Sequence, residues 1–130
     1  MVRLLVAEQN QRIVGMCHWT RIYDLFWAMF GGELEWLYVR PAARGRGIPA
    51  VLVAEVCRDR LSGGEFLKGA GEADETAALY ERIAMGWPAR TVYVSAEAFH
   101  VLADHAGRSP RDIVRGLPAP ELNHVSRQTR

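Results

Sequence analysis

The sequence predicts a single domain of the α/β class, with one central mixed, mostly antiparallel sheet and flanking helices. Its 130 residues are 49% hydrophobic and 24% charged, which suits one globular domain with a sizeable buried core. Segments rich in β-forming residues alternate with segments of helical periodicity, and short glycine-bearing turns separate them. The order β-β-β-α-β-α-β, followed by two helices, favours one sheet on which the helices pack.

Three strands are predicted in the first third of the chain. Strands at Arg3–Gln9 and Ile13–Ile22 flank the polar turn Gln9–Arg12, so the first two strands form a hairpin. The aromatic segment Tyr23–Gly32 is compatible with a loop or with a continuation of the second strand. Glu33–Val39 alternates and is rich in β-formers, which indicates the third strand.

The middle of the chain predicts two helices and a short strand. Apolar residues at helical spacing indicate a helix over Ile48–Leu61, which the glycine-containing segment Ser62–Gly64 ends. The segment Glu65–Gly71 is predicted as a short strand. Asp74 is a suitable N-cap for the second helix, which carries an apolar face and ends at Gly86.

The last strand is predicted at Ala89–Ser95, and two short helices follow it. One begins after Ser95, and the other spans Ser109–Gly116, where a serine cap precedes Pro110 at the first helical position. From Leu117 onward the chain is polar and contains proline, which is typical of a loose tail. We therefore expect a core over residues 1–95 and a C-terminal helical extension with a tail over 96–130.

Charge, hydropathy and cysteine usage exclude several classes of function. A net charge of +1 disfavours attachment to nucleic acid or to an acidic membrane by bulk charge. No apolar run approaches the ~20 residues that span a bilayer, and the N-terminus lacks a signal-peptide pattern. Cys17 and Cys57 lie in apolar segments, which predicts buried reduced thiols and a cytoplasmic location. The four histidines lack metal-ligand spacing, so no metal is expected.

A basic turn with two glycines follows the third strand, and its ligand has to be inferred. No lysine follows the glycines, which excludes a P-loop. Five residues separate Val39 from Gly45, whereas a dinucleotide-binding motif has its first glycine directly after the strand. A glycine turn before a helix directs unpaired N–H groups at one position, where the helix dipole favours an anion. An anion site and an arginine-rich surface turn therefore remain as interpretations.

Two motifs around this turn resemble a known family. The segment ELEWLYVRPAARGRGI, Glu33–Ile48, strongly resembles the acetyl-CoA signature of the GNAT family of N-acetyltransferases. The segment AALYERIAMGW, Ala77–Trp87, is similar to the family's second signature, A-x-x-L-Y-E-x-x-G-F. The motifs occur in the family's order, and the resemblance covers roughly residues 3–95.

The resemblance implies the GNAT fold and a site for acetyl-CoA. The pyrophosphate would lie on the glycine turn, and the pantetheine arm would lie along the third strand like an added strand. Glycines allow close approach of the backbone, and arginines supply charge that suits a pyrophosphate. The implied cofactor-binding residues are Leu37, Tyr38, Val39, Arg44, Gly45, Arg46, Gly47 and Ile48.

The resemblance also implies the catalytic groups. An alkylamine has a pKa of about 10, so a base must remove its proton before it attacks the thioester. By family analogy, that base is Glu33 or Glu35, with a slight preference for Glu33 unless a bulge changes their facing. The backbone N–H of Val39 would polarise the thioester carbonyl. Tyr80 occupies the position of the family tyrosine that faces the cofactor sulfur and would protonate the leaving thiolate.

The predicted function is transfer of an acetyl group from acetyl-CoA to a primary amine of a small molecule, peptide or protein, without metal, nucleic-acid or membrane partners. The family commonly has other residues where this chain has Pro49 and Ala42. Its opening strand and helix pair have no counterpart, so either a truncated form or a partner subunit, as in a homodimer, is expected. A non-catalytic module that binds acyl-CoA or a partner protein is the first alternative. A nucleic-acid contact domain that uses Arg40, Arg44 and Arg46 is the second.

Overall fold

The computed structural model describes residues 2–60, 66–70, 76–85 and 91–118. Its strands are β1 (Val2–Gln9), β2 (Arg12–Asp24), β3 (Met29–Val39), β4 (Leu67–Ala70), β5 (Ala84–Met85) and β6 (Thr91–Val94). Its helices are α1 (Ile48–Arg60), α2 (Ala77–Ile83), α3 (Ala96–His105) and α4 (Pro110–Gly116), with a 3-10 turn at Pro41–Ala43. Within these residues, six strands form one sheet in the order β1-β2-β3-β4-β6-β5. The predicted α/β class with one mixed sheet is confirmed.

The first three strands form an antiparallel meander. The predicted hairpin of β1 and β2 is present, and both residues of its turn have positive φ, as tight hairpin turns require. The segment Tyr23–Gly32 divides into the end of β2, a short turn and the start of β3. Asp24 stabilises that turn, because its Oδ1 accepts hydrogen bonds from the N–H groups of Phe26 (2.8 Å) and Trp27 (3.2 Å).

An opening between β3 and β4 positions the site. The two strands pair in parallel only over Gly32–Leu34 and Leu67–Gly69. β4 then pairs antiparallel with β6 on its other side. Beyond Leu34, no described strand pairs with β3 on the β4 side, and a cavity lies between the rest of β3 and Ala70. This arrangement leaves one edge of β3 available to a ligand.

The main core lies between the sheet and α1. Leu52, Val53 and Val56 of α1 are buried together with inward-facing residues of β2 and β3. The C-terminal helices pack on the other side of α1, where Phe99 of α3 and Ile113 of α4 are fully buried. The helical extension therefore belongs to the same hydrophobic core as the sheet.

Both C-terminal helices begin as the sequence predicts. The Ser95 side chain accepts a hydrogen bond from the N–H of Ala98 at 3.2 Å, and Ser109 accepts one from Asp112 at the same distance. Pro110 takes the first helical position of α4. These side chains satisfy N–H groups that the first helical turn leaves without partners.

One predicted helix end is wrong. The second helix was expected to continue to Gly86, whereas α2 ends at Ile83. The next two residues are extended because they form β5, which pairs antiparallel with β6. The predicted N-cap Asp74, the end point Gly86 and the segment Ser62–Gly64 lie outside the described residues.

The protein is expected to lose stability as pH rises above about 9. Burial raises the pKa of Cys17 and of Tyr80 to about 12, and it also raises the pKa of Cys57. The ordinary values of 9.0 for cysteine and 10.0 for tyrosine lie well below these, so above pH 9 the folded chain binds more protons than the unfolded chain. The free energy of unfolding then falls with pH, from a plateau below about pH 9 until the native groups ionise.

Urea unfolding at pH 7.5, 9 and 10 measures this loss directly. Both cysteines are buried free thiols, as predicted, so Cys17→Ala should make the decline between pH 9 and 10 shallower. A urea midpoint that stays constant up to pH 10 would contradict the burial of these three groups.

Candidate active site

The turn between β3 and α1 presents backbone N–H groups at the start of a helix. Gly45 and Gly47 have φ values of 75° and 77°, which glycine adopts readily. The Val51 N–H donates to the Gly47 carbonyl at 3.2 Å, so the helix offers no acceptor to the N–H groups that precede Val51. These unpaired N–H donors and the positive end of the helix dipole both favour the binding of an anion.

The two glycines have different surroundings. A Cβ atom on Gly45 would have no neighbouring heavy atom within 4 Å, so the space beside it is open to a ligand. A Cβ atom on Gly47 would lie 2.9 Å from Cβ of Pro110 in α4. Gly45 is thus required by its backbone conformation, and Gly47 by its conformation and by packing against α4.

The two arginines of the turn line different cavities. Arg44 lines a cavity of about 340 Å³ between α1 and α2, and its Nε donates to the Val39 carbonyl at 3.0 Å. Arg46 lines a separate cavity of about 570 Å³ together with Arg12 and Arg40. The structure therefore does not bring both arginines to the same cavity, although the sequence analysis assigned both to one pyrophosphate.

The backbone of β3 is directed into the opening. The Arg40 N–H donates to the Val14 carbonyl of β2 at 2.8 Å. Because hydrogen bonds alternate along an antiparallel strand, the N–H groups of Leu37 and Val39 point away from β2, toward β4. Tyr38, the predicted cofactor-binding residue between them, has a side chain that is 44% exposed. These N–H groups can therefore bind an extended ligand or a carbonyl oxygen.

A large cavity of about 910 Å³ extends from this opening. It is lined by residues from β1, β2, β3 and β4 and by the start of α2, namely Leu4, Met16, His18, Leu34, Glu35, Trp36, Leu37, Tyr38, Ala70, Thr76 and Tyr80. Tyr80 is 3% exposed, and a Cβ atom on Gly69 of β4 would lie 2.9 Å from its hydroxyl oxygen. The phenol is protonated at neutral pH, and burial raises its pKa to about 12, so it keeps its proton well above pH 10.

The two candidate bases differ in their surroundings. The register between β2 and β3 shifts between His18 and Trp19, which leaves Glu35 as the extra residue of a β-bulge. Glu35 lines the large cavity, whereas Glu33 is not part of its lining. Oε1 of Glu33 instead lies 3.5 Å from Nζ of Lys68. The bulge thus leaves Glu35, and not the slightly preferred Glu33, in the cavity.

His18 lines the same cavity, and its sequence context does not single it out. Its Nδ1 lies 2.7 Å from Oε2 of Glu35, its side chain is 26% exposed, and both residues line the cavity that contains Tyr80. A single histidine on an alternating strand carries no functional signal of its own. The pairing of β2 with β3 would have been the signal, because it brings His18 beside the bulge.

The part of the chain that the structure describes holds neither a candidate metal site nor a membrane-spanning helix. In residues 2–60, 66–70, 76–85 and 91–118, no group of three His, Cys, Asp or Glu side chains could hold a metal ion. None of the helices in those ranges combines the length and apolar character needed to cross a membrane.

Comparison with known sequences identifies one family. A family model described as "Acetyltransferase (GNAT) domain" matches residues 2–83, which is more than half of the chain. No curated protein matches the sequence. The matched range includes the turn at Gly45, the bulge at Glu35 and Tyr80.

Solved structures share the fold at low sequence identity. A KacTA–DNA complex superposes with a TM-score of 0.58 at 18% identity, covering 78% of this chain and 72% of that one. AtaTR bound with AcCoA has a TM-score of 0.55 at 16% identity, covering 78% and 70%. An integron cassette protein from the mobile metagenome of V. cholerae has a TM-score of 0.53 at 19% identity, covering 62% and 51%. This chain thus spans about half the length of the cassette protein.

Proposed function

The chain belongs to the GNAT family of acetyltransferases, and from this premise we propose that it acetylates a primary amine by direct attack in a ternary complex. Family membership confirms the resemblance of the two motifs and makes the chain an acyltransferase that uses acetyl-CoA. One observation supports the proposal most strongly. The N–H side of β3 at Val39 faces the opening beyond Leu34, and that opening leads into the cavity that Glu35 and Tyr80 line.

We propose that coenzyme A follows the backbone from the glycine turn into this opening. The pyrophosphate lies against the N–H groups around Gly45 and Gly47, and Arg44 flanks it. The pantetheine arm lies along Leu37 and Val39, whose N–H groups point toward β4. These orientations support the proposed cofactor path. Arg46 lines a separate cavity, and it contributes to the binding only by adding positive charge near the turn.

The proposed chemistry uses three groups. The amine enters as an ammonium ion, and Glu35 accepts one proton through a water molecule. The amine nitrogen bonds to the thioester carbon, and the Val39 N–H stabilises the negative oxygen that forms. As the C–S bond breaks, Tyr80 donates its proton to the thiolate, and the second proton of the nitrogen replaces it through solvent. Glu35 then releases its proton to solvent.

The expected partners and location extend this proposal. The acceptor is a small-molecule, peptide or protein amine, and the protein acts in the cytoplasm without a membrane partner. The solved KacTA structure is a complex with DNA, so the comparison gives no support to the expectation that this chain lacks a nucleic-acid partner. The division into residues 1–95 and 96–130 likewise stays a prediction.

One observation favours a non-catalytic module as the second candidate. Pro49 lines the cavity beside the glycine turn and provides no N–H there, which removes a donor for a phosphate. Steady-state release of free thiol from acetyl-CoA with a panel of primary amines distinguishes the two functions. The enzyme releases thiol only when a suitable amine is present. Acetyl-CoA binding without thiol release from any amine would identify the module.

Gly45→Val is expected to weaken acetyl-CoA binding tenfold or more, a factor that corresponds to about 1.4 kcal/mol. The new side chain would occupy the open space beside the turn and would force a positive φ on a β-branched residue. Gly107→Val is the matched control, because Gly107 also has positive φ (86°) but lies in the turn between α3 and α4. Calorimetry should show weaker binding for Gly45→Val alone. Equal affinities in two folded variants would contradict the proposed phosphate site.

A further inference from the structure

The cavity beside the cofactor turn has a third wall that neither signature motif contains. The glycine turn together with the start of α1 forms one wall, and α2 forms the second. The third wall consists of Val114 in α4 and Leu117, which directly follows that helix. Leu79 and Arg82 of α2 and Arg44 of the turn line the same cavity.

Arg82 holds the end of this third wall against α2. Its Nη2 donates to the Leu117 carbonyl at 2.8 Å, and its Nε donates to the Pro118 carbonyl at 3.2 Å. The side chain of Leu117 is 6% exposed, so this residue is packed against its surroundings. One guanidinium thus connects α2 to a segment that lies 35 residues away in the sequence.

The other end of α4 contacts the glycine turn itself. Pro110, at the start of α4, lies where a Cβ atom on Gly47 would come within 2.9 Å. Its neighbour on the inner face, Ile113, is fully buried in the main core. The helix therefore extends from the turn at Gly47 to the Arg82 contact at Leu117 and closes one side of the cavity.

We propose that α4, Leu117 and Pro118 form part of the coenzyme A site and that Arg82 is the positioning residue that holds them there. The inference rests on the proposed function, because it takes this cavity as part of the cofactor groove. Leu79, Val114 and Leu117 offer apolar surface, and Arg44 and Arg82 offer positive charge. That combination matches a ligand in which a pantetheine chain carries a pyrophosphate.

Arg82→Lys tests the positioning role without removing the charge. Lysine keeps the cation but lacks the planar guanidinium that donates to two carbonyls at once. We expect about five- to tenfold weaker acetyl-CoA binding, which is the size of effect that one lost hydrogen bond produces. The KM for acetyl-CoA should rise by the same factor, while the KM for the amine and kcat at saturating acetyl-CoA stay close to wild type. Arg3→Lys is the matched control and should bind normally, because Arg3 forms a partly exposed ion pair with Asp59 and lines none of the cavities described above.

Hydrogen exchange of the wild-type protein provides a second measurement that needs no variant. Coenzyme A should slow exchange of the backbone amides over Ile113–Leu117, because contact with the bound cofactor reduces local opening of this segment. Unchanged exchange over Ile113–Leu117, or wild-type affinity of a folded Arg82→Lys protein, would overturn the proposal that α4 forms part of the coenzyme A site. Neither result would affect the proposed acetyltransferase function. A wild-type protein that binds no acetyl-CoA would overturn the proposed function and this inference together.

Discussion

Replacing Tyr80 with phenylalanine is expected to lower turnover by about 10²–10³-fold, within the range that a positioned proton donor contributes. The change removes one oxygen and keeps a ring that is 3% exposed and packed in the core. Acetyl-CoA affinity and the melting temperature should therefore stay close to wild type. Stopped assays of thiol release under saturating acetyl-CoA measure the loss.

The raised pKa of Tyr80 sets the pH range over which it can donate a proton. Burial raises the pKa of Tyr80 to about 12, so the wild-type phenol remains protonated at pH 10, where half of the free tyrosine side chains are ionised. The difference between wild type and Tyr80→Phe should therefore persist up to that pH. Tyr23→Phe, at an exposed position of β2, is the control and should react at the wild-type rate. A Tyr80→Phe protein with wild-type turnover would assign this tyrosine to the core alone.

Glu35→Gln is expected to lower kcat/KM for the amine by about 10²-fold at pH 7, the lower end of general-base contributions. Glutamine keeps the shape of the side chain but cannot accept the amine proton. Glu33→Gln is the matched control on the same strand, and it should change the rate by less than about threefold because Glu33 lies beside Lys68 outside the cavity lining.

The defect of Glu35→Gln should narrow as pH rises. An alkylamine with a pKa of about 10 is increasingly neutral at high pH and then needs no base. Measuring both variants from pH 7 to 10 with one amine tests this expectation. The opposite pattern, a large loss in Glu33→Gln and none in Glu35→Gln, would assign the base to Glu33. No loss in either variant would remove both carboxylates from the mechanism.

Local pattern predicted most of the fold. The alternation in β3, the helical spacing in α1 and the serine cap of α4 are properties of neighbouring residues, so they are visible in the sequence. The end of α2 was not predicted, because β5 forms only through pairing with β6, which lies later in the chain. Such a strand is set by tertiary contacts and not by its own propensity.

The candidate site was predictable only in part. Gly45, Gly47 and Tyr80 belong to contiguous motifs and were assigned from them. The proximity of His18 to Glu35 depends on the register of two strands and on a bulge, neither of which periodicity alone specifies. The separation of Arg44 from Arg46 depends on side-chain directions within an irregular turn. Contacts between distant segments, such as Arg82 with Leu117, leave no local sequence signal.

The most direct test of the central claim is a crystal structure of the protein with coenzyme A. We expect the pyrophosphate on the backbone N–H groups between Gly45 and Ile48, with the pantetheine arm along β3. We also expect the cofactor sulfur about 3–4 Å from the hydroxyl oxygen of Tyr80, close enough for proton transfer. A pyrophosphate bound instead among the arginines of the separate cavity, with the sulfur remote from Tyr80, would contradict this claim.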